Sequence, residues 1–416
     1  MSRSVDLDTL LLRDFAPRPE LRLARAGAPD RPRFPAIDAH NHLGGAFGDA
    51  SGDWPGRPVG ELLALMDEAG VDRIVDLDGR FGDALAREIA RLQAPHPDRF
   101  AVFCGLDDGT FATDPAFGET EARRLRASAA AGARGLKVWK TLGLRLRDGR
   151  DHLIAVDDER LDPLWAAAAD LGLPVMIHVA DPVALFQPAD RFNERIEELA
   201  AHPDWHFFPT RPEPDPAYPG FPPFEEIMEQ FAGLLGRHPR TVFIGAHVGC
   251  YAENLAWVGE ALAAFPNFHV DPSARMAELG RQPYSARDFF LRWQDRILFG
   301  TDAAPNLAAY RRWYRFLETR DEYFDYGGGQ GRWNVSGLDL PDDVLRKVYR
   351  ENALRLIWQG GVPAMSFGSG GRTGRVERPS APGTTPRPPS RALDSGFNVA
   401  RGTAAAPPSP ALQGPD

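Results

Sequence analysis

Ile37-Asp38-Ala39-His40-Asn41-His42-Leu43-Gly44 is the stretch on which the fold turns. Its apolar start reads as a strand, and His40 and His42, two apart at the strand's end, point to the same side. That places two imidazole nitrogens within reach of one small divalent ion. Alone, such a pair serves equally well as a polar strand cap. The pattern recurs, however. Val175-Met176-Ile177-His178, Ile244-Gly245-Ala246-His247 and Leu298-Phe299-Gly300-Thr301-Asp302 are each an apolar run delivering one ionisable residue at its C-terminal end. Burying these groups without a partner is costly, and a metal ion supplies that partner to several at once. Neutral imidazoles with a carboxylate suit Zn²⁺, and also Fe²⁺ or Mn²⁺.

Around these residues, short apolar runs alternate with amphipathic ones. Strands are expected at Ala36–Ala39, Ile74–Leu77, Phe100–Leu106, Arg134–Trp139, Pro174–Val179, Thr241–His247, Phe268–Asp271 and Ile297–Thr301. Helices are expected between them, at Pro58–Ala69, Glu119–Ala131, Arg160–Leu171, Phe224–Arg237 and Ala252–Phe265. Such alternation argues for a parallel sheet, and eight repeats for closure into a (β/α)8 TIM barrel over residues 36–361. An open doubly wound sheet is the runner-up, but it would normally carry a Gly-rich phosphate loop after its first strand. No G-x-G-x-x-G or Walker pattern occurs. Two connections are long, Asp181–Pro223 and Ala303–Leu340, and both are rich in aromatics. Each follows a strand, so each should rise from the C-terminal face of the barrel, where active sites sit.

The ends differ from the middle. Residues 1–35 form an N-terminal extension, with an apolar LDTLLLRDF segment and an Arg/Pro-rich stretch that should lie across the barrel. Residues 362–416 are rich in Gly, Ser, Pro, Thr and Arg, a composition that cannot repay ordering entropy by burial, and are read as a disordered tail. A net charge of −10 without a basic, aromatic-interleaved patch argues against nucleic acid as a partner. No long apolar run or secretory leader is visible, so neither membrane insertion nor export is expected. The two cysteines, Cys104 and Cys250, suit a reducing cytoplasm and read as small buried hydrophobes.

The set D-A-H-N-H, strand-final His178, A-H-V-G around His247 and F-G-T-D at Asp302 resembles the amidohydrolase superfamily. It is most similar to the branch that includes aminocarboxymuconate-semialdehyde decarboxylase, from Ile37 to Trp358. The resemblance implies a divalent metal held by His40, His42, His178 and Asp302, with Asp302 also managing a proton of the attacking water. It implies that His247 acts near the reacting carbonyl. Water on such an ion loses its proton near neutral pH, and an imidazole titrates in the same range.

The fourth strand carries two of only three lysines, Lys137 and Lys140, the third being Lys347. Lys137 and Trp139 share a face, and Trp139 with the loop aromatics would close over a ring or apolar substrate as a lid, or serve simply as packing. Superfamily members that bridge two metals carboxylate a lysine on this strand, which arginine cannot replace. Substrate binding by Lys137 is favoured here over bridging, and Lys140 reads as a surface amine. Arg275, after the seventh strand in Asp271-Pro272-Ser273-Ala274-Arg275, would clamp a substrate carboxylate through its planar fork, or serve equally as a salt-bridge partner. His206 reads as structural or as part of a lid. The remaining histidines (His96, His152, His202, His238 and His269) attract no role.

The expected reaction is hydrolysis of a small carbonyl-containing substrate by a metal-bound hydroxide. The alternative is a carboxy-lyase that removes carbon dioxide from a small acid, aromatic acids included, on the same site. A non-catalytic binding module would lack a ligand, and no expected ligand position is vacant. Homo-oligomerisation is left open.

Overall fold

The computed structural model describes residues 8–18, 20–45, 52–208 and 220–359. The tail expected to be disordered lies outside these residues, as does part of the Asp181–Pro223 connection. Strands β1 (Ala36–Asn41), β2 (Val71–Asp76) and β3 (Phe100–Val102) pair in parallel in that order. A second parallel set runs β4 (Leu136–Val138), β5 (Val175–Ile177), β6 (Phe243–Gly245) and β7 (Phe268–Val270). A parallel bridge between Cys104 and Leu136 joins the two sets.

The eighth expected strand is not a regular ladder. Residues 297–302 nevertheless close the ring. Ile297 bridges Val270, and Leu298 N donates to Val270 O at 2.9 Å. On the other side Ala39 N donates to Phe299 O and Asp302 N to His40 O, both at 2.9 Å. A helix follows every strand, as in Val59–Ala69 after β1, Asp162–Leu171 after β4 and Leu307–Glu318 after the eighth segment. The fold is a (β/α)8 barrel.

Its strands bury both faces, so they read as continuous apolar runs rather than alternating ones. Residues on one face, among them Ile37, Ala39, Val75, Ala101, Phe103, Met176, Ile244 and Leu298, form a compact inner cluster. Their neighbours, such as Ile74, Val102, Val175, Ile177 and Phe243, belong to the larger cluster under the helices. Strand β1 breaks the alternation. Asp38 pairs with Ile74 and Asn41 with Asp76, so three steps of β1 oppose two of β2. Such an extra residue re-aims the side chains beyond it. It lets His40 turn inward although Ala39 also packs inside. Gly300 makes room for this, because a Cβ there would sit 2.8 Å from His40 Cβ.

One expectation needs correction. The Ala303–Leu340 connection is not a loop throughout, since Leu307–Glu318 is an amphipathic helix whose Tyr310, Trp313 and Tyr314 are core residues. Those aromatics therefore cannot close over a substrate. The N-terminal extension is held against the segment after that helix. Ala26 N and Gly27 N donate to the Asp321 carboxylate, and Arg25 reaches the carbonyls of Glu322 and Tyr323.

The connection after β5 is tied to the one after β7 through Arg195, which is 1% exposed. Its guanidinium binds Glu198 and Glu278. Removing one member of a buried ion cluster strands the others without a counter-charge. Arg195→Ala should therefore lower unfolding stability by about 3–5 kcal/mol. Urea unfolding followed by tryptophan fluorescence measures this, and a change under about 1 kcal/mol would contradict it.

Candidate metal centre

His40 stands in the bulged end of β1 and His42 just beyond it, both almost fully buried. Asp302 ends the eighth segment. Its Oδ1 lies 3.3 Å from His42 Nε2 and 3.7 Å from His40 Nε2. One donor atom from each of the three falls within 4.8 Å of the others, the spacing of a shared ion. Asp302 Oδ1 is buried and makes no hydrogen bond within the described residues. A buried carboxylate oxygen left in that state implies something else to bind.

The outer nitrogens decide the matter. His40 Nδ1 is 3.1 Å from Asp271 Oδ2, and His42 Nδ1 is 2.7 Å from Asp78 Oδ1. An ionised carboxylate accepts only, so each Nδ1 carries a proton and each Nε2 is the nitrogen turned toward Asp302, the one that an ion would take in place of a proton. Metal-binding histidines are oriented in this way. The donor set fits a divalent ion.

A second cluster, His40, His247 and Asp271, has similar spacing. Ser273 Oγ sits within it, 3.0 Å from Nδ1 of both histidines and hydrogen-bonded to Asp271 Oδ1. Those donors already have partners, so this cluster is a hydrogen-bonded support. His247 also donates from Nδ1 to Ser273 O at 2.9 Å, which turns its Nε2 to Asp302 Oδ2 at 3.8 Å. The turn carrying His247 is left-handed. His247, Val248 and Cys250 have φ of 59°, 60° and 64°, a conformation costing roughly 1–2 kcal/mol for each such residue.

Charge at the site follows from burial and neighbours. Burial alone would raise the Asp302 carboxyl, but the facing His40, His42 and Lys137 outweigh it and hold it below its usual range. Burial opposes protonation of His42, yet Asp302 and Asp78 draw it up to about 9. The His42 position thus attracts positive charge. Burial pushes His247 well down, with Arg275 and His178 adding to the effect. It also lowers the Lys137 amine, which Asp302 and Asp271 only partly offset.

Lys137 is fully buried, with Nζ 3.3 Å from His40 Nε2 and 5.0 Å from the Trp139 ring centre. Trp139 in turn stacks on His42 at 5.0 Å. Both residues therefore stand beside the triad. Arg275 is 5% exposed, and its guanidinium's one hydrogen bond among the described residues is to Ala274 O. No described carboxylate lies within ion-pair distance of it.

His178 stands apart from the triad. Its ring centre is 4.4 Å from that of His247, but its Nε2 is 3.1 Å from Asp181 Oδ1. Burial lowers its pKa to about 4 despite Asp181. Lys140 is not the plain surface amine expected from the sequence, because it pairs with Asp181 and completes a Lys140–Asp181–His178 chain. His206 is half-buried and bonds Gln187 O, and His269 is buried within β7. Cys104 and Cys250 are free and buried as expected.

The sequence reading missed Asp78 and Asp181 and gave Asp271 and Ser273 no role. Asp78 had a usable signal. In Asp76-Leu77-Asp78 an apolar strand ends on an acid, as at Asp302. Asp78→Ala should weaken divalent-metal affinity about 10–100-fold, the usual worth of such a support. Competition with a chromophoric chelator measures it, and unchanged affinity would contradict the assignment of His42 Nε2 as a ligand.

A family model described as amidohydrolase matches residues 37–357. No curated protein matches. Among solved structures, an uncharacterised TIM-barrel protein from Bordetella bronchiseptica is 17% identical, with a TM-score of 0.48 over 78% of this chain and 99% of that one. A 2,6-dihydroxybenzoate decarboxylase from Rhizobium is 19% identical, with a TM-score of 0.47 over 79% and 100%. A 5-carboxyvanillate decarboxylase from Sphingomonas paucimobilis is 17% identical, with a TM-score of 0.45 over 78% and 98%. Identities this low transfer no substrate. With the family match spanning most of its length, the chain belongs to the amidohydrolase family.

Proposed function

We propose that this enzyme is a metal-dependent hydrolase of a small carbonyl-containing compound, with the ion held by His40, His42 and Asp302. The observation behind the reading is the convergence of their donor atoms within 4.8 Å, with both outer imidazole nitrogens tied to carboxylates. Two nitrogens and a carboxylate oxygen suit zinc, and iron or manganese also. When bound, the ion supplies Lewis acidity toward a carbonyl and an acidified water.

The chain's own residues do the rest. Asp302 Oδ2 and His247 Nε2, 3.8 Å apart, face each other across the site and can take up and return a proton between them. Ser273 O fixes the His247 tautomer that keeps Nε2 free for this. Trp139 walls the site beside His42, and Lys137 offers a buried amine as a hydrogen-bond donor to developing charge. In this proposal His178 has the smaller share of the ion, because its Nε2 must leave Asp181 to reach it. His178→Ala should weaken metal binding less than His42→Ala. The domain division we propose is an extension over residues 1–35, the barrel over 36–361 and a tail thereafter. Among the described residues no helix is long and apolar enough to cross a membrane. We place the enzyme in the cytoplasm, where two free thiols persist.

One observation favours a second reading. Arg275 is a buried guanidinium without a described carboxylate partner, the arrangement expected where a substrate carboxylate is to dock. In that case the same site would release carbon dioxide from a small acid. Lactones, amides and aromatic carboxylates should be offered to the metal-loaded enzyme and products identified by mass. Gain of one water supports hydrolysis, whereas carbon dioxide without water uptake rejects it. If the substrate is an acid, Arg275→Met should lower kcat/KM by about 10–100-fold, the worth of a charged hydrogen bond of about 1.5–3 kcal/mol. An unchanged value would remove Arg275 from substrate binding.

A further inference from the structure

We propose that Asp38 and Asn41, together with Tyr310, are positioning residues that bracket Asp302 and hold it as a ligand. The inference rests on the metal reading above and concerns what keeps the third ligand in place. Asp302 needs such help. Its φ of 52° lies in the left-handed region, and it sits in a segment without a regular strand ladder. Both of its neighbours are tied to β1. Thr301 N donates to Asp38 Oδ1 at 3.0 Å, and Thr301 Oγ1 donates to Asp38 Oδ2 at 2.7 Å. On the other side, Asn41 Nδ2 donates to Ala303 O at 3.0 Å. Asp302 itself contributes only its amide, to His40 O.

Asp38 is the hub of the bracket. It is fully buried and makes no ion pair among the described residues, so neutral donors must hold it. Asn41 Nδ2 donates to it at 2.8 Å, and the Tyr310 hydroxyl donates at 3.0 Å from the helix Leu307–Glu318. A buried carboxylate supported only by neutral donors is a costly way to fasten two strands, for which apolar packing would serve. What it adds is direction. Within one short stretch, His40 and His42 face the ion while Asp38 and Asn41 hold the third ligand to it. Tyr310 carries no motif signal, since it lies eight residues past Asp302 and acts only through Asp38.

The test uses the full chain, stripped of metal and titrated with Co²⁺, with uptake and ligand field read from the visible spectrum. Tyr310→Phe removes one donor and keeps the ring. Its Co²⁺ dissociation constant should rise about tenfold or more, as for other outer supports of a ligand, with an altered visible band. Loss of a donor to the buried Asp38 carboxylate should also lower the thermal midpoint of the metal-free protein by a few degrees, to the same extent with or without Asp302, so the change specific to Asp302 is read from Co²⁺ alone. In an Asp302→Ala background, Tyr310→Phe should add nothing to the Co²⁺ effect, because the residue it acts through is gone. Asn41→Ala is the second variant should Tyr310→Phe fold poorly, with the same two results expected. A wild-type constant and spectrum in both variants, or equal weakening with and without Asp302, overturns the proposal. If the unmodified protein takes up no Co²⁺, the metal reading fails and carries this proposal down with it.

Discussion

Which nitrogen of His40 and His42 carries the proton decides what the mouth of this barrel can do. Asp271 and Asp78 settle it by accepting from Nδ1 of each ring, which turns the two Nε2 atoms toward Asp302. Were either acid replaced by an apolar residue, its imidazole would be free to take the other tautomer or to turn away. Burial strengthens the arrangement, because a carboxylate and an imidazole facing each other in a low dielectric have little water to exchange with. It also makes errors expensive, and for that reason the supporting acids are themselves bonded. Asp78 receives Gly44 N, and Asp271 receives Ser273 N and Oγ.

The barrel delivers these groups by departing from regularity. An extra residue in β1, an eighth segment without a full ladder and a left-handed turn after β6 all lie at the same end of the molecule. Each forgoes local stability to aim one side chain. The inner cluster and the much larger cluster under the helices offset that cost elsewhere. Strain held in place by its surroundings is common where a side chain must be aimed.

Much of this was legible in the residues alone. The alternation of apolar runs with amphipathic helices exposed the barrel, because parallel strands buried on both faces read as unbroken hydrophobic stretches. The strand-final positions of His40, His42, His247 and Asp302 pointed to the candidate centre, since few uses exist for ionisable groups delivered by apolar runs. Other features were not visible. The bulge in β1 is a matter of pairing register, which no single strand shows. The helix containing Tyr310 was hidden by aromatics that suggested a lid, although their spacing served packing. Asp181, three residues past His178, diverts that imidazole from the triad, and sequence spacing does not tell a ligand from the partner that restrains it. Lys140 looked like a surface amine because its acid lies on another loop.

One cation lying between His40, His42 and Asp302 is the claim on which every role above depends. Crystals of the metal-loaded enzyme, measured on both sides of the absorption edge of the bound element, test that directly. A single strong anomalous peak is expected, with nitrogen and oxygen ligands at about 2.0–2.2 Å, those of His40 Nε2, His42 Nε2 and Asp302. A peak seated instead among His40 Nδ1, His247 Nδ1 and Asp271, or no peak at the triad, would contradict it.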